Sequence, residues 1–142
     1  MVPPVQQITA QGYDMQFGTN VLGHFLFLKL LYPVLVSSSS PSSLSRLVWT
    51  SSSTQYYFHA PMKYDTLKGG PARKALGVQQ LYCQSKFATV LLVLYIAKTC
   101  LKDGVVATVV DPGNIRTDLQ RYSVGGAVTN TFRRALVRMY AP

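Results

Sequence analysis

Asp103-Gly104-Val105-Val106-Ala107-Thr108-Val109-Val110-Asp111-Pro112-Gly113-Asn114 reads as the end of one element, the whole of a second and the break after it. Asp103-Gly104 closes a helix, since glycine accepts the left-handed turn that a helix end needs. Val105–Val110 is uncharged and β-branched, which predicts a buried strand. Asp-Pro-Gly-Asn then turns the chain sharply. Upstream, residues from about Gln79 to Leu101 predict a long helix. Phe87, Val90, Leu91, Leu94 and Ala97 recur at helical steps, and Lys98 and Lys102 near its end suit the helix dipole. Further upstream, Arg46-Leu47-Val48-Trp49-Thr50 predicts a second short buried strand, with Ser51, Ser52 and Ser53 at its carboxyl end. Strand, helix and strand make a βαβ unit with parallel strands, so the fold class is α/β. Ligands of open α/β sheets sit outside the carboxyl ends of the strands, where the serines and Pro112-Gly113 fall.

The remaining segments fit around this unit. Residues from about Gln11 to Val36 predict another long helix, with Phe17, Val21, Leu22, Phe25, Leu28 and Leu31 at three- and four-residue steps. Its apolar surface wraps widely, so neighbours are expected on more than one side, and Pro33 is expected to kink or end it. Ser37–Ser43 is a low-complexity polar loop without expected chemistry. Thr54 to about Val78 shows no clean period and carries Pro61, Gly69, Gly70 and Pro71. A loop of that length is expected to serve the substrate side. Thr131–Tyr140 is expected to form a last short helix.

At 142 residues, 48% hydrophobic and 13% charged, the chain fits one globular domain, residues 1–142. The net charge is +9, but the basic residues are dispersed and Arg133, Arg134 and Arg138 read as a solvated helix face, so no nucleic-acid partner is expected. Cys83 and Cys100 are too few for a disulfide framework. His24 and His59 have no companions at metal-ligand spacing, so no metal is expected. Val21–Val36 is shorter than a bilayer span needs. Met1-Val2-Pro3-Pro4 does not open a signal peptide. A chain without a transmembrane segment is therefore expected, cytoplasmic, with membrane association as the alternative.

Tyr82-Cys83-Gln84-Ser85-Lys86 puts a phenol and an ammonium four residues apart, on one face of the predicted helix. Tyr64-Asp65-Thr66-Leu67-Lys68 has the same spacing, but Gly69-Gly70-Pro71 follows and cannot continue a helix.

Four stretches together resemble the short-chain dehydrogenase/reductase family, in its retinol-dehydrogenase-like and WW-domain-oxidoreductase-like branch. They are Phe17-Gly18-Thr19-Asn20-Val21-Leu22-Gly23-His24-Phe25, Arg46–Ser52, Tyr82–Lys86 and Asp111-Pro112-Gly113-Asn114-Ile115-Arg116-Thr117, in the family's order. The family places its Tyr about thirty residues before the Pro-Gly turn. Tyr82 stands 30 residues before Pro112 and Tyr64 stands 48, which favours Tyr82. The resemblance implies hydride transfer between NADP or NAD and an alcohol or carbonyl, with a lipophilic substrate suited to the chain's apolar character. Tyr82 would be the acid/base. A free phenol titrates near ~10, and Lys86 would lower that value and hold the nicotinamide ribose. Ser52 would hold the substrate oxygen, and Asn20 a water of the proton relay. Pro112, Gly113, Ile115 and Thr117 would line the nicotinamide.

The family's first glycine-rich turn, Gly-x-x-x-Gly-x-Gly, is not in this sequence. The chain therefore reads as the C-terminal portion of a Rossmann-type doubly wound parallel sheet without its first βα units, stopping short at the other end too. Loss of most dinucleotide affinity is expected, as is instability without a partner, because strand edges and helix faces would be left uncovered. The alternative to an enzyme is a non-catalytic fragment or interaction module. Such a module would pair as a homo- or heterodimer through the two long helices, as they often do in the family.

Overall fold

The computed structural model describes residues 2–58 and 61–113. Helix α1 runs from Met15 to Ser37. It starts at Met15 rather than Gln11 because Asp14 caps it, with Oδ1 accepting from the N–H groups of Gln16 at 3.0 Å and Phe17 at 2.9 Å. The other carboxylate oxygen takes Arg73 Nε at 2.8 Å, in an ion pair almost wholly removed from solvent. Arg73 also donates to the carbonyls of Val5 and Gln7, so one guanidinium ties the N-terminal segment, α1 and the next helix together. Pro33 does not end α1, which continues to Ser37. The lost hydrogen bond falls close to the helix end, where few bonds remain to be disturbed. Within α1, Gly18–Gly23 winds as a π-helix.

Strands β1 (Ser45–Thr50) and β2 (Val105–Val110) pair in parallel, with Ser45 opposite Val105 and Thr50 opposite Val110. Helix α2 (Pro71–Cys100) connects them and completes the expected βαβ unit. It begins well before Gln79, with proline at the first helical position, where a missing N–H is harmless. Gly77 then leaves the helical conformation at φ 78° and ψ 156°. That break hides the first turns from a periodicity reading. Ser53–Tyr57 and Tyr64–Thr66 are 3-10 turns in the stretch expected to be irregular.

The core gathers Leu28 of α1, Trp49 of β1, and Val93 and Ile96 of α2. Otherwise α1 is little covered by the described residues. Leu26, Phe27, Leu30 and Val34 are 58%, 61%, 70% and 59% exposed, so the expectation of burial on more than one side is not met among them. Leu91, Leu94 and Tyr95 form a similar exposed set on α2. Contrary to the reading of Val21–Val36 as too short, the helices Met15–Ser37 and Pro71–Asp103 are long and apolar enough to cross a membrane. By itself this is a weak sign, because core helices of soluble proteins pass the same test. Both cysteines are free. The expected helix at Thr131–Tyr140 lies outside the described residues.

Gly104 takes the left-handed conformation after a 3-10 turn at Leu101–Asp103, with φ 75°. Its carbonyl accepts from Ser39 Oγ at 2.7 Å and from the Ser45 N–H at 3.0 Å. The serine run, expected to be inert, thus supplies one anchor between the two strand starts. A Cβ on Gly104 would stand 2.1 Å from Ser39 Oγ. Gly104→Ala is expected to lower stability by roughly 1–3 kcal/mol, the cost of strain at a left-handed position plus a displaced anchor. A denaturant midpoint equal to that of the parent chain would contradict this.

Candidate active site

The two strands end side by side. The Ser51 N–H donates to Val110 O at 2.8 Å and carries the ladder one step past the sheet. Ser51 and Ser52 therefore leave the sheet beside Asp111, Pro112 and Gly113. Gly113 is left-handed at φ 70°, and its N–H donates to Asp111 Oδ1 at 3.1 Å. Helix α2 is joined to this edge in both directions. Ser51 Oγ donates to Lys86 O at 3.0 Å, and Lys86 Nζ donates to Thr50 O at 3.2 Å. One turn earlier on the same face stands Tyr82, with Lys86 Nζ 5.9 Å from its ring centroid. From α1, Asn20 Nδ2 donates to Ser85 Oγ at 2.9 Å, and Ser85 Oγ donates to Tyr82 O at 2.8 Å.

Electrostatically, burial sets the Tyr82 phenol. Only 6% of the residue is exposed, and loss of water around a phenolate pushes its pKa up, while the nearby hydroxyls of Ser52 and Thr54 pull it down. Lys86 is pushed the other way, its pKa lowered by the same loss of water. The expectation that Lys86 lowers the phenol is not what this arrangement shows. Its ammonium donates to Thr50 O and stands 5.9 Å from the ring centroid.

No protein-family model matches the chain. A short-chain dehydrogenase/reductase of Armillaria gallica is 39% identical over 122 residues, 86% of this chain and 39% of that protein. Another, from Emericella nidulans, is 37% identical over 125 residues, 85% of this chain and 39% of that protein. Polyprenol dehydrogenase of Homo sapiens is 37% identical over 124 residues, 86% of this chain and 36% of that protein. The chain belongs to the short-chain dehydrogenase/reductase family. It spans under two fifths of the length of these relatives, and its parallel βαβ unit is a portion of a Rossmann-type fold.

Against the family's motif, the structure brings Asn20, Ser52, Tyr82 and Lys86 to one end of the sheet, next to Pro112 and Gly113. Ile115 and Thr117 lie outside the described residues. The rival Tyr64 is 76% exposed in a 3-10 turn, so it has no helix to share with Lys68. Sequence reasoning missed three residues here. Ser85 links Asn20 to the Tyr82 turn. Gln84, buried one residue earlier, accepts from the Lys63 N–H at 3.0 Å and donates to Thr66 Oγ1 at 2.9 Å, fastening the long excursion to α2. Thr54 Oγ1 is buried with no hydrogen-bond partner among the described residues. Short polar residues give no periodic signal, and only their tertiary neighbours reveal them. A cavity of about 350 Å³ between α1 and β1, lined in part by Phe27, Leu31 and Trp49, includes none of Ser52, Tyr82 and Lys86.

Proposed function

We propose that this chain carries the proton-transfer half of an NAD(P)-dependent oxidoreductase that interconverts an alcohol and a carbonyl, with a lipophilic substrate. The observation that carries this reading is the meeting of Tyr82, Ser52 and Lys86 at the carboxyl ends of two parallel strands. Tyr82 donates a proton to the carbonyl oxygen in reduction and removes it from the alcohol in oxidation. Ser52 holds that oxygen against the phenol. Asn20, fixed through Ser85, orders a water behind Lys86, by which the proton reaches solvent.

The residues present suit the nicotinamide end of the cofactor. Lys86 has donors left beyond its bond to Thr50 O, enough for a ribose hydroxyl. Among the described residues a Cβ built on Gly113 would meet nothing within 4 Å, which suits a flat ring laid against this turn, with Pro112 beside it and Ile115 and Thr117 assigned by the family motif. A bound nicotinamide supplies or accepts the hydride. The cofactor of this reading is NADP or NAD, and the sequence does not hold the acidic or basic residue that chooses between them. Polyprenol dehydrogenase among the relatives supports a lipophilic alcohol as the substrate class. The two long apolar helices leave both a cytoplasmic and a membrane-bound setting compatible with that chemistry.

Titrating NADPH and NADH into the purified chain, followed by carbonyl reduction, tests the proposal. Binding with turnover supports it, and absence of both in a folded sample rejects it for this chain. In that outcome the exposed faces of α1 and α2 favour a second reading, a module that dimerises through these helices, which sedimentation would show as a dimer.

Ser52→Ala gives a sharper check. The Ser52 hydroxyl pulls the phenol's pKa down, so removing it raises that pKa further. The rising limb of alcohol oxidation against pH, which follows phenolate formation, should move to higher pH. Reduction, which needs the phenol protonated, should persist further into the alkaline range. Turnover should also fall by about 10²- to 10³-fold, as for loss of one positioned donor to the reacting oxygen. A limb that stays in place would count against the assignment.

A further inference from the structure

The π-helical segment Gly18–Gly23 holds Asn20, and such bulges recur at functional sites because they re-aim a side chain. Something must hold the bulge open. The backbone N–H of His24 bonds Val21 O, and its imidazole takes the carbonyl further back, with Nδ1 2.8 Å from Thr19 O. A carbonyl oxygen only accepts, so Nδ1 carries a hydrogen. The ring is steadied from another side by Trp49, at 5.7 Å between centroids and 42° between planes. Trp49 is 5% exposed, a core residue, and lies three positions before Ser52. Thr19 O belongs to the peptide whose nitrogen is that of Asn20. Fixing this carbonyl fixes the orientation of the peptide, and with it the direction in which Asn20 leaves the helix, toward Ser85 Oγ at 2.9 Å.

We infer that His24 is a positioning residue for Asn20: its ring, tilted against Trp49 of β1 and bonded to Thr19 O, sets the bulge that aims the Asn20 amide at Ser85 and the Tyr82 turn. The link runs from the strand that leads into Ser52, through α1, to the helix bearing Tyr82 and Lys86. It rests on the reading of Asn20 as part of the proton relay. His24 touches no reacting atom, so it acts on the rate through Asn20 alone and leaves substrate binding unchanged.

Two variants separate the hydrogen bond from the packing. His24→Phe keeps an aromatic ring against Trp49 and removes the donor. His24→Asn loses the ring contact with Trp49 and places an amide donor near the position of Nδ1. Emission from Trp49, the chain's single tryptophan, checks that the core around it is kept in each. In the full chain labelled with ¹⁵N, the Asn20 side-chain amide is the direct readout. In His24→Phe its signals should move to free-amide positions and exchange with water about tenfold faster, whereas His24→Asn should retain bonded positions. Turnover should fall about tenfold in His24→Phe with KM unchanged, within the range that a displaced positioning group costs, and recover in His24→Asn. Unchanged Asn20 signals in His24→Phe would overturn the inference, as would shifted signals with unchanged turnover. If the parent chain itself shows no turnover, the oxidoreductase reading fails, and the Asn20 signals decide alone whether His24 positions the amide.

Discussion

Replacing Tyr82 by phenylalanine should lower turnover by about 10³-fold, inside the range that a positioned general acid/base contributes. The substitution removes one oxygen and leaves the ring that fills the site, so the fold should survive it. Because the residue is almost wholly buried, water has poor access to replace the phenol as a proton donor. The effect belongs to kcat, since the phenol's chief contribution arises as the proton moves, and KM should change little. Steady-state rates of carbonyl reduction with matched circular dichroism spectra make the comparison. Retention of more than about a tenth of the turnover would remove Tyr82 from the acid/base role, since such a group is worth at least ~10². Exposed Tyr64 offers the matched control, and Tyr64→Phe should leave the rate unchanged.

Arg73→Leu should be the most damaging single change to stability. It leaves the Asp14 carboxylate buried, with two backbone N–H donors but no countercharge, and strips a donor from the carbonyls of Val5 and Gln7. Breaking a buried pair from one side costs about 3–5 kcal/mol, a large share of the ~5–15 kcal/mol that holds a domain folded. Arg73→Lys keeps the charge but loses the planar fork that reaches three acceptors, so it should fall between. The double change Arg73→Leu with Asp14→Asn should cost less than the two singles added, because no lone charge is then left inside. Urea unfolding of the parent, Arg73→Leu, Arg73→Lys, Asp14→Asn and the double gives these differences. A loss below ~1 kcal/mol in Arg73→Leu would mean that water reaches Asp14 and the pair is a surface one.

The clamp also shows where sequence reading ran out. Arg73 and Asp14 lie 59 residues apart and neither belongs to a periodic pattern, so nothing local announces them. β2 was legible to both ends because its six residues are uniformly suited to a buried strand and turn signals flank them. The start of α2 was not, because Gly77 breaks the period that identifies the helix. The pairing of Tyr82 with Lys86 follows from one helical turn and was legible, as was the placement of Ser52 at a strand end. What Lys86 does with its charge was not, because its bond to Thr50 O depends on how the helix crosses the sheet. The wide apolar surface of α1 was visible in the residues, but burial also needs neighbours, and the described residues cover chiefly the Leu28 side.

Gly77 has a consequence for how this region can change length. In an unbroken helix each added residue turns everything on one side of it by about 100°, because 3.6 residues make a turn. Arg73 lies in the part of α2 before Gly77, and Tyr82 lies after it. Val78 O, the first carbonyl past the break, is held by Gln16 Nε2 at 2.9 Å, a tether from α1 that is independent of the preceding turns. Insertions or deletions between Thr54 and Gly77 can therefore be taken up at the glycine, while the phenol keeps its bearing. The excursion can lengthen or shorten around different substrates without re-registering the machinery behind it.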